Sequence, residues 1–411
     1  MQRNAGDFGR RQLVCGVTAA ILGSSARTAR AAKPIRIGVL TDLSGPYAEI
    51  SGIGSVTATR AAAEDFMKLS PGLAVDVLVG DMRTSPDLAV SITRQWFDTE
   101  GVDMVLGVPS SAAGLALTGL VRDKNKVAIF TEPGTSELTT TQCGPNHVHW
   151  TWDTGSATVP VVRQMLKEGK TSWFFIAPDY ALGSAMVKDA SAAIEAGGGK
   201  VVGLVRHPFP GTTDFSSYLL QAQASGAQVI CLSSAGADVQ NAVKQAGEFG
   251  ISGKIALAAP LLELPDMHAL GLAACQGLTT ATAFYWDRNE ASRAFTRRIA
   301  PLRHGEPPVQ NHAGAYSAAT HYLKAVTALG AAAASADGRR AVAQMKAIPL
   351  DDILFGKGSV REDGRTIHDV LVLRVKKPGE PMSSDYDMLN IVEITPGTKA
   401  FRPALQSCAF S

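Results

Sequence analysis

Short apolar runs alternate with longer stretches of helical periodicity from Ile35 onward. "IRIGVL" (35–40), "AVDVLVG" (74–80), "DMVLGV" (103–108) and "VAIFT" (127–131) are almost wholly apolar, as parallel strands covered on both faces are. The stretches between them run to roughly 12 to 16 residues, room for one helix each. In the first, Val56, Ala63, Phe66 and Met67 share a face at helical spacing. The pattern predicts a βαβ series.

After "HVHWTWDT" (147–154) the alternation restarts: "SWFFIAP" (172–178), a helix to about Ala196, "KVVGLVRH" (200–207), a helix from Asp214, "QVICLSS" (228–234), a helix from Asp238 and "KIALAA" (254–259). The glycines at 197–199 stand where a helix must stop, because glycine takes the left-handed conformation at little cost. A second α/β unit follows from this. The remainder does not make a third. "LTTATAFYW" (278–286) reads as one strand, Ala313 to Leu329 as a long helix, and "DVLVLRVK" and "NIVEIT" as late strands. These pieces are expected to complete the two earlier sheets, with residues 33–152 and 280–362 in one lobe and 153–279 and 363–411 in the other.

The N-terminus is set apart from the fold. Arg10-Arg11 precede the apolar stretch from Leu13 to Gly23 and then Ala29-Arg30-Ala31, a small-x-small cleavage pattern. The segment reads as an export signal cleaved near Ala31 for the periplasm; the paired arginines suit a twin-arginine route, and an ordinary secretory signal is the alternative. The apolar stretch is shorter than the ~20 residues a membrane span needs, and Val14 before Cys15 argues against lipid attachment.

Composition narrows the function classes. At 411 residues with 45% hydrophobic and 18% charged residues, the chain is long enough for two ordinary cores. Removing residues 1–31 takes away five arginines and Asp7, turning the formal charge from +2 to −2. So balanced a chain has no electrostatic claim on nucleic acid or an anionic membrane. Four cysteines then remain: Cys143, Cys231, Cys275 and Cys408. An oxidising compartment permits disulfides among them in three full pairings. Cys231, inside "QVICL", reads as a buried thiol, and Cys143, in a polar loop, as the better disulfide candidate.

The loop "TDLSGPYAEISGIGSV" (41–56) raises a nucleotide reading through Gly52-Ile53-Gly54. A dinucleotide turn follows its strand almost at once, whereas about a dozen residues separate Leu40 from Gly54, Thr57 stands at the third glycine position, and Asp81 lies 27 positions beyond Gly54. The loop is better read as lining a cleft at the carboxyl ends of the strands. Ser44 to Tyr47 then form a turn that presents an aromatic ring, or one that packs Tyr47 on its own domain.

Here the sequence resembles a known family. "IRIGVLTDLSGPYAEISGIGSVTATRAAAEDF" is similar to the opening of periplasmic solute-binding proteins of the type I, leucine/isoleucine/valine-binding class, which serve ATP-driven importers. The likeness continues in order through "GVPSSAAGLAL", "TSELT", "HWTWDT", "DYALG", "DFSSYLLQAQASGAQVI", "AFYWD" and "AYSAATHYLKAV". It implies two Rossmann-like lobes joined by a three-crossing hinge, no cofactor, a small-molecule ligand, and membrane permease and ATPase subunits as partners.

Candidate ligand residues follow. Ser110 and Ser111 sit between a strand and a helix start, where serine caps the helix and where hydroxyls and free N–H groups also suit a carboxylate. The resemblance places the ligand carboxylate there and adds Gly134, Thr135 and Tyr180. Tyr285 and Trp286, near an expected crossing, either cover the apolar part of a ligand or belong to the core. Asp238 reads as a helix N-cap. Relatives pair a ligand ammonium with an acid in the second lobe; "LAAPLLELPD" puts Pro260 or a leucine there, with Glu263 offset, which favours a carboxylate or amide without an amine. Glu132, where relatives carry a small residue, either enters the pocket or faces solvent.

Enzyme readings find little support. The chain has no Gly-x-Ser-x-Gly elbow, His-Glu-x-x-His pair, Cys-x-x-Cys or phosphate-binding Gly-x-x-x-x-Gly-Lys-Ser/Thr. His147 and His149 share a strand face without a third metal ligand nearby in sequence. A ligand sensor on the same fold is the alternative to a transport component.

Overall fold

The computed structural model describes residues 33–209, 211–405 and 408. The export signal expected at 1–31 lies outside them.

The first series folds as expected. Its strands are β1 (Ile35–Thr41), β2 (Val75–Asp81), β3 (Met104–Gly107), β4 (Val127–Phe130) and β5 (His147–His149). They pair in parallel in the order β2-β1-β3-β4-β5. Alternation along each strand assigns its two faces. Ile35, Ile37, Met104, Leu106 and Ile129 join the core under α1 (Gly52–Leu69) and the long helix Gln310–Leu329. Leu40, Val105, Ala128 and Phe130 join the opposite core, beneath α2 (Pro86–Gln95) and α3 (Ser111–Asp123). Gly38 lets the Trp96 indole lie against the sheet, since a Cβ there would meet the ring at 2.5 Å.

The second sheet begins with β6 (Ser172–Pro178), β7 (Lys200–His207), β8 (Val229–Leu232), β9 (Ala256–Ala258) and β10 (Thr279–Thr282). A small antiparallel sheet follows from β11 (Leu350–Asp352), β12 (Gly356–Val360) and β13 (Thr366–Ile367), and the chain ends with β14 (Val370–Val375) and β15 (Leu389–Thr395). The large sheet runs β15-β14-β10-β9-β8-β6-β7, with β14 alone antiparallel to the rest and paired on one side with β10 and on the other with β15. Phe174, Ile176, Ile230 and Leu232 face one core. Trp173, Phe175, Val229 and Cys231 face the other, against α4 (Thr154–Lys167) and α5 (Ala181–Ala196).

Two expectations change. None of the late strands enters the first sheet. The run 278–286 is strand only over Thr279–Thr282, because the Ala283 N–H donates to Gln310 Oε1 at 2.9 Å instead of to a neighbouring strand.

The chain leaves the first sheet after β5, comes back after β10 to lay the helix Gln310–Leu329 over it, and leaves again after β13, and these passages are tied together. Arg365, fully buried, donates to the Trp150 carbonyl at 2.6 Å and the Trp152 carbonyl at 3.1 Å, and its guanidinium lies 4.4 Å from the Phe401 ring centre. His368 Nε2 bonds the Thr151 carbonyl at 2.8 Å. Cys143 pairs with Cys408, while Cys231 and Cys275 are buried free thiols.

Candidate functional site

A cavity of about 300 Å³ opens where the carboxyl ends of the two parallel sheets meet. From the first sheet it receives Tyr47 and Ile50 after β1, Thr84 and Pro86 after β2, Pro109 to Ala112 after β3, and Glu132, Pro133 and Gly134 after β4. From the second come Tyr180 to Leu182 after β6, Phe209 after β7, Ala235 after β8, and Leu261 and Glu263 after β9. Trp152 and Asn311 close the hinge side. Open α/β sheets present ligand sites at these strand ends because the strand-to-helix turns gather there.

The loop after β1 is shaped by Asp42. Its carboxylate accepts from the Gly45 N–H at 2.8 Å, the Tyr47 N–H at 3.1 Å and Thr84 Oγ1 at 2.8 Å. That anchoring brings Tyr47 to the cavity, which Tyr180 also lines, and burial raises both phenol pKa values. Tyr180 also stacks on Phe209, with ring centres 4.2 Å apart. Tyr47 and the stacked pair thus line the same cavity as the first turn of α3.

That turn is prepared for an anion. Ser110 is the N-cap, its Oγ accepting from the Ala113 N–H at 3.3 Å. Ser111 Oγ instead accepts from the Thr135 N–H at 3.2 Å, which leaves the serine's own hydroxyl hydrogen to donate elsewhere. The first N–H groups of a helix have no intrahelical partner, and the helix dipole makes that end positive. Gly134 fits beneath Trp152, where a Cβ would approach the indole to 2.6 Å; Trp152 Nε1 is held by Asn311 Oδ1 at 3.0 Å.

Two acids complete the walls. Glu132 accepts Ser51 Oγ and Ser55 Oγ, each at 2.6 Å, and burial pushes its carboxyl up to about 7 against the opposing pull of those serines. Glu263 accepts Gln310 Nε2 at 2.6 Å and is pushed up to about 8, again chiefly by burial. Glu132 is buried and Glu263 half-buried, and both line the cavity, so the offset expected for Glu263 does not keep it from the wall. Among the described residues lining the cavity, none is Lys, Arg or His.

The sequence-derived residues divide accordingly. Tyr47, Ser110, Ser111, Gly134 and Tyr180 line the cavity. Thr135 stands behind it, its N–H on Ser111 and its hydroxyl accepting from the Glu137 N–H at 3.3 Å. Tyr285 and Trp286 lie elsewhere. Because the chain turns inward after Thr282, Tyr285 reaches the Leu389 carbonyl at 3.4 Å and Trp286 the Tyr386 carbonyl at 3.2 Å, both against the second-sheet core. Gly236, not Asp238, is the N-cap of the helix Ala237–Glu248, and Asp238 is buried in its first turn, 3.9 Å from His207. His147 and His149 bond the Leu138 and Pro133 carbonyls; among the described residues no three His, Cys, Asp or Glu side chains gather as metal ligands do. Sequence reasoning missed Ile50, Trp152, Phe209, Leu261 and Asn311. Trp152 had a signal, since it lies in "HWTWDT" directly before the second series.

Two solved structures share this architecture. A periplasmic binding protein from Burkholderia mallei is 40% identical, covers 90% of this chain and 96% of its own, and superposes with a TM-score of 0.83. A branched chain amino acid ABC transporter periplasmic ligand-binding protein from Burkholderia xenovorans LB400 is 39% identical, over 90% of this chain and 97% of its own, with a TM-score of 0.82. The family profile described as "Periplasmic binding protein" matches residues 34–380. The chain belongs to this family.

A Leu/Ile/Val-binding protein homolog from Brucella melitensis, 27% identical over 269 residues, covers 64% of this chain and 68% of its own length. As a periplasmic binding protein, the molecule is an α/β solute binder rather than an enzyme. Among the described residues no helix is long and apolar enough to cross a membrane.

Proposed function

We propose that this protein is exported by the segment 1–31, cleaved near Ala31, and carries a small, partly apolar solute to the permease and ATPase subunits of an ABC importer. The solute is a branched-chain amino acid or an aromatic or aliphatic carboxylate. Its carboxylate rests on the first turn of α3 with Ser111, and its apolar body lies against Tyr47, Tyr180, Phe209 and Trp152. Residues 33–152 with 280–362, and 153–279 with 363–411, form lobes that close on the solute by hinge motion, the ligand favouring the state it touches from both sides.

The observation that carries this reading is the cavity of about 300 Å³ whose walls come from the strand ends of both sheets and combine aromatic surface with one helix N-terminus. The name of the Burkholderia xenovorans relative points to the same cargo class and the same importer type.

Thermal denaturation of residues 32–411 with a panel of amino acids, aromatic acids, amides and short carboxylates tests it. A ligand at 100 times its dissociation constant adds ~2.7 kcal/mol. A panel in which no carboxylate shifts the midpoint overturns the proposal.

A further inference from the structure

We propose that Glu132 is a specificity residue of this cavity, selecting solutes that carry a protonated amine or another N–H donor in addition to their carboxylate. This rests on the reading of the cavity as a solute site and narrows its cargo.

Ser51 carries the first part of the argument. It occupies the N-cap position of α1, where a serine ordinarily caps the helix through its hydroxyl, yet its side chain makes no cap bond. The hydroxyl goes to Glu132 Oε2 instead, and Ser55, one turn on, goes to Oε1. Thr41 Oγ1 lies 2.6 Å from Ser51 Oγ. Since Ser51 gives its single hydrogen to the acid, Thr41 must be the donor to Ser51. The hydroxyl hydrogens therefore run toward Glu132 and meet it as an acceptor. Ionised, Glu132 is an acceptor at both oxygens; as the neutral acid it would give its proton to one of these serine hydroxyls and reverse that bond.

The second part is what the cradle leaves open. An ionised carboxylate accepts about four hydrogen bonds; the serines supply two, and among the described residues no basic side chain lines the cavity to supply more. A buried anion without a cationic partner is costly, and a donor nitrogen brought by the solute relieves that cost. A plain carboxylate set against the same wall meets like charge or has to force a proton onto Glu132. The acid on the first-sheet wall thus separates solutes that share an apolar body and a carboxylate but differ in one nitrogen.

Calorimetric titration at pH 8 of L-leucine against 4-methylpentanoate, and of L-phenylalanine against 3-phenylpropanoate, tests the inference in wild type, Glu132→Gln and Glu263→Gln. The amine-bearing member of a pair binds wild type at least about tenfold tighter, in line with a hydrogen bond to a charged group, and Glu132→Gln removes most of that preference while its unfolding midpoint shows a folded protein. Equal or tighter binding of the deaminated acids overturns the inference and leaves the carboxylate site standing. Preference lost only in Glu263→Gln also overturns it, assigning the nitrogen to the opposite wall. Binding by no member of either pair overturns this inference together with the solute-site reading beneath it.

Discussion

Gln310, the first residue of the long helix over the first sheet, donates its side-chain amide to Glu263, in the turn that follows β9 of the second sheet, 2.6 Å away. The bond spans the hinge and holds an acid whose folded pKa, about 8, lies above its ordinary 4.5. The unfolded chain loses this proton near 4.5 and the folded chain keeps it to about 8, so stability falls as pH rises between those values. The neighbouring Asp266, pushed up to about 6, acts in the same direction over a narrower window. Glu263→Gln keeps the shape and removes the titration. Its unfolding midpoint, followed from pH 5 to 8, should drop less than that of wild type; parallel curves would contradict the assignment.

Ser111→Ala should weaken carboxylate binding by about tenfold to a hundredfold, the worth of one hydrogen bond to a charged group. Ser110 retains the helix cap, so the free protein should lose only the bond from the Thr135 N–H to Ser111 Oγ, about 1 kcal/mol of stability. Titration calorimetry beside a melting curve checks both halves.

Gly134→Ala probes the opposite effect, excess volume. The added methyl would sit 2.6 Å from Trp152 and 3.3 Å from Leu182, both on the cavity wall, and Trp152 is fixed by Asn311. Overpacking of this kind costs about 1–3 kcal/mol. Affinity should fall by about tenfold or more, read as a change in dissociation constant for the best ligand of the panel.

Thiol reactivity checks the cysteine assignment. In residues 32–411 the native protein should show no reactive thiol, because Cys231 and Cys275 are buried and burial pushes each up to about 12. Unfolding should expose two, and reduction four. Cys143→Ser opens a covalent loop of 265 residues and should lower stability by about 2–4 kcal/mol, measured by denaturant titration.

Much of the fold was legible because the inner strands are covered on both faces and so read as nearly unbroken apolar runs, with helical spacing between them. Boundaries were harder at the hinge. Nothing in "LTTATAFYW" announces that Gln310, 27 residues beyond Ala283, takes over its backbone donor. In the site, Ser110 and Ser111 were legible because they stand at a strand-to-helix junction, where an open sheet gathers its ligand contacts, and Tyr180 through the family resemblance. Tyr285 and Trp286 follow a strand as well, but theirs turns inward to the core. Ile50, Phe209 and Leu261 carry no mark that distinguishes a cavity wall from a core, since both are apolar. Glu132 was ambiguous for a related reason: whether a carboxyl points inward depends on Ser51 and Ser55, some eighty positions earlier in the chain.

The bridge between Cys143 and Cys408 also sets how the molecule answers tension. If the chain is pulled by Lys33 and Cys408, the load passes from Lys33 to Cys143 and then straight through the sulfur–sulfur bond. The ribbon from 144 to 407, which includes the whole of the larger sheet, hangs outside that path as a closed ring. An oxidised molecule held in optical tweezers should therefore pay out only the length of residues 33–143, and release the rest once a reductant is added.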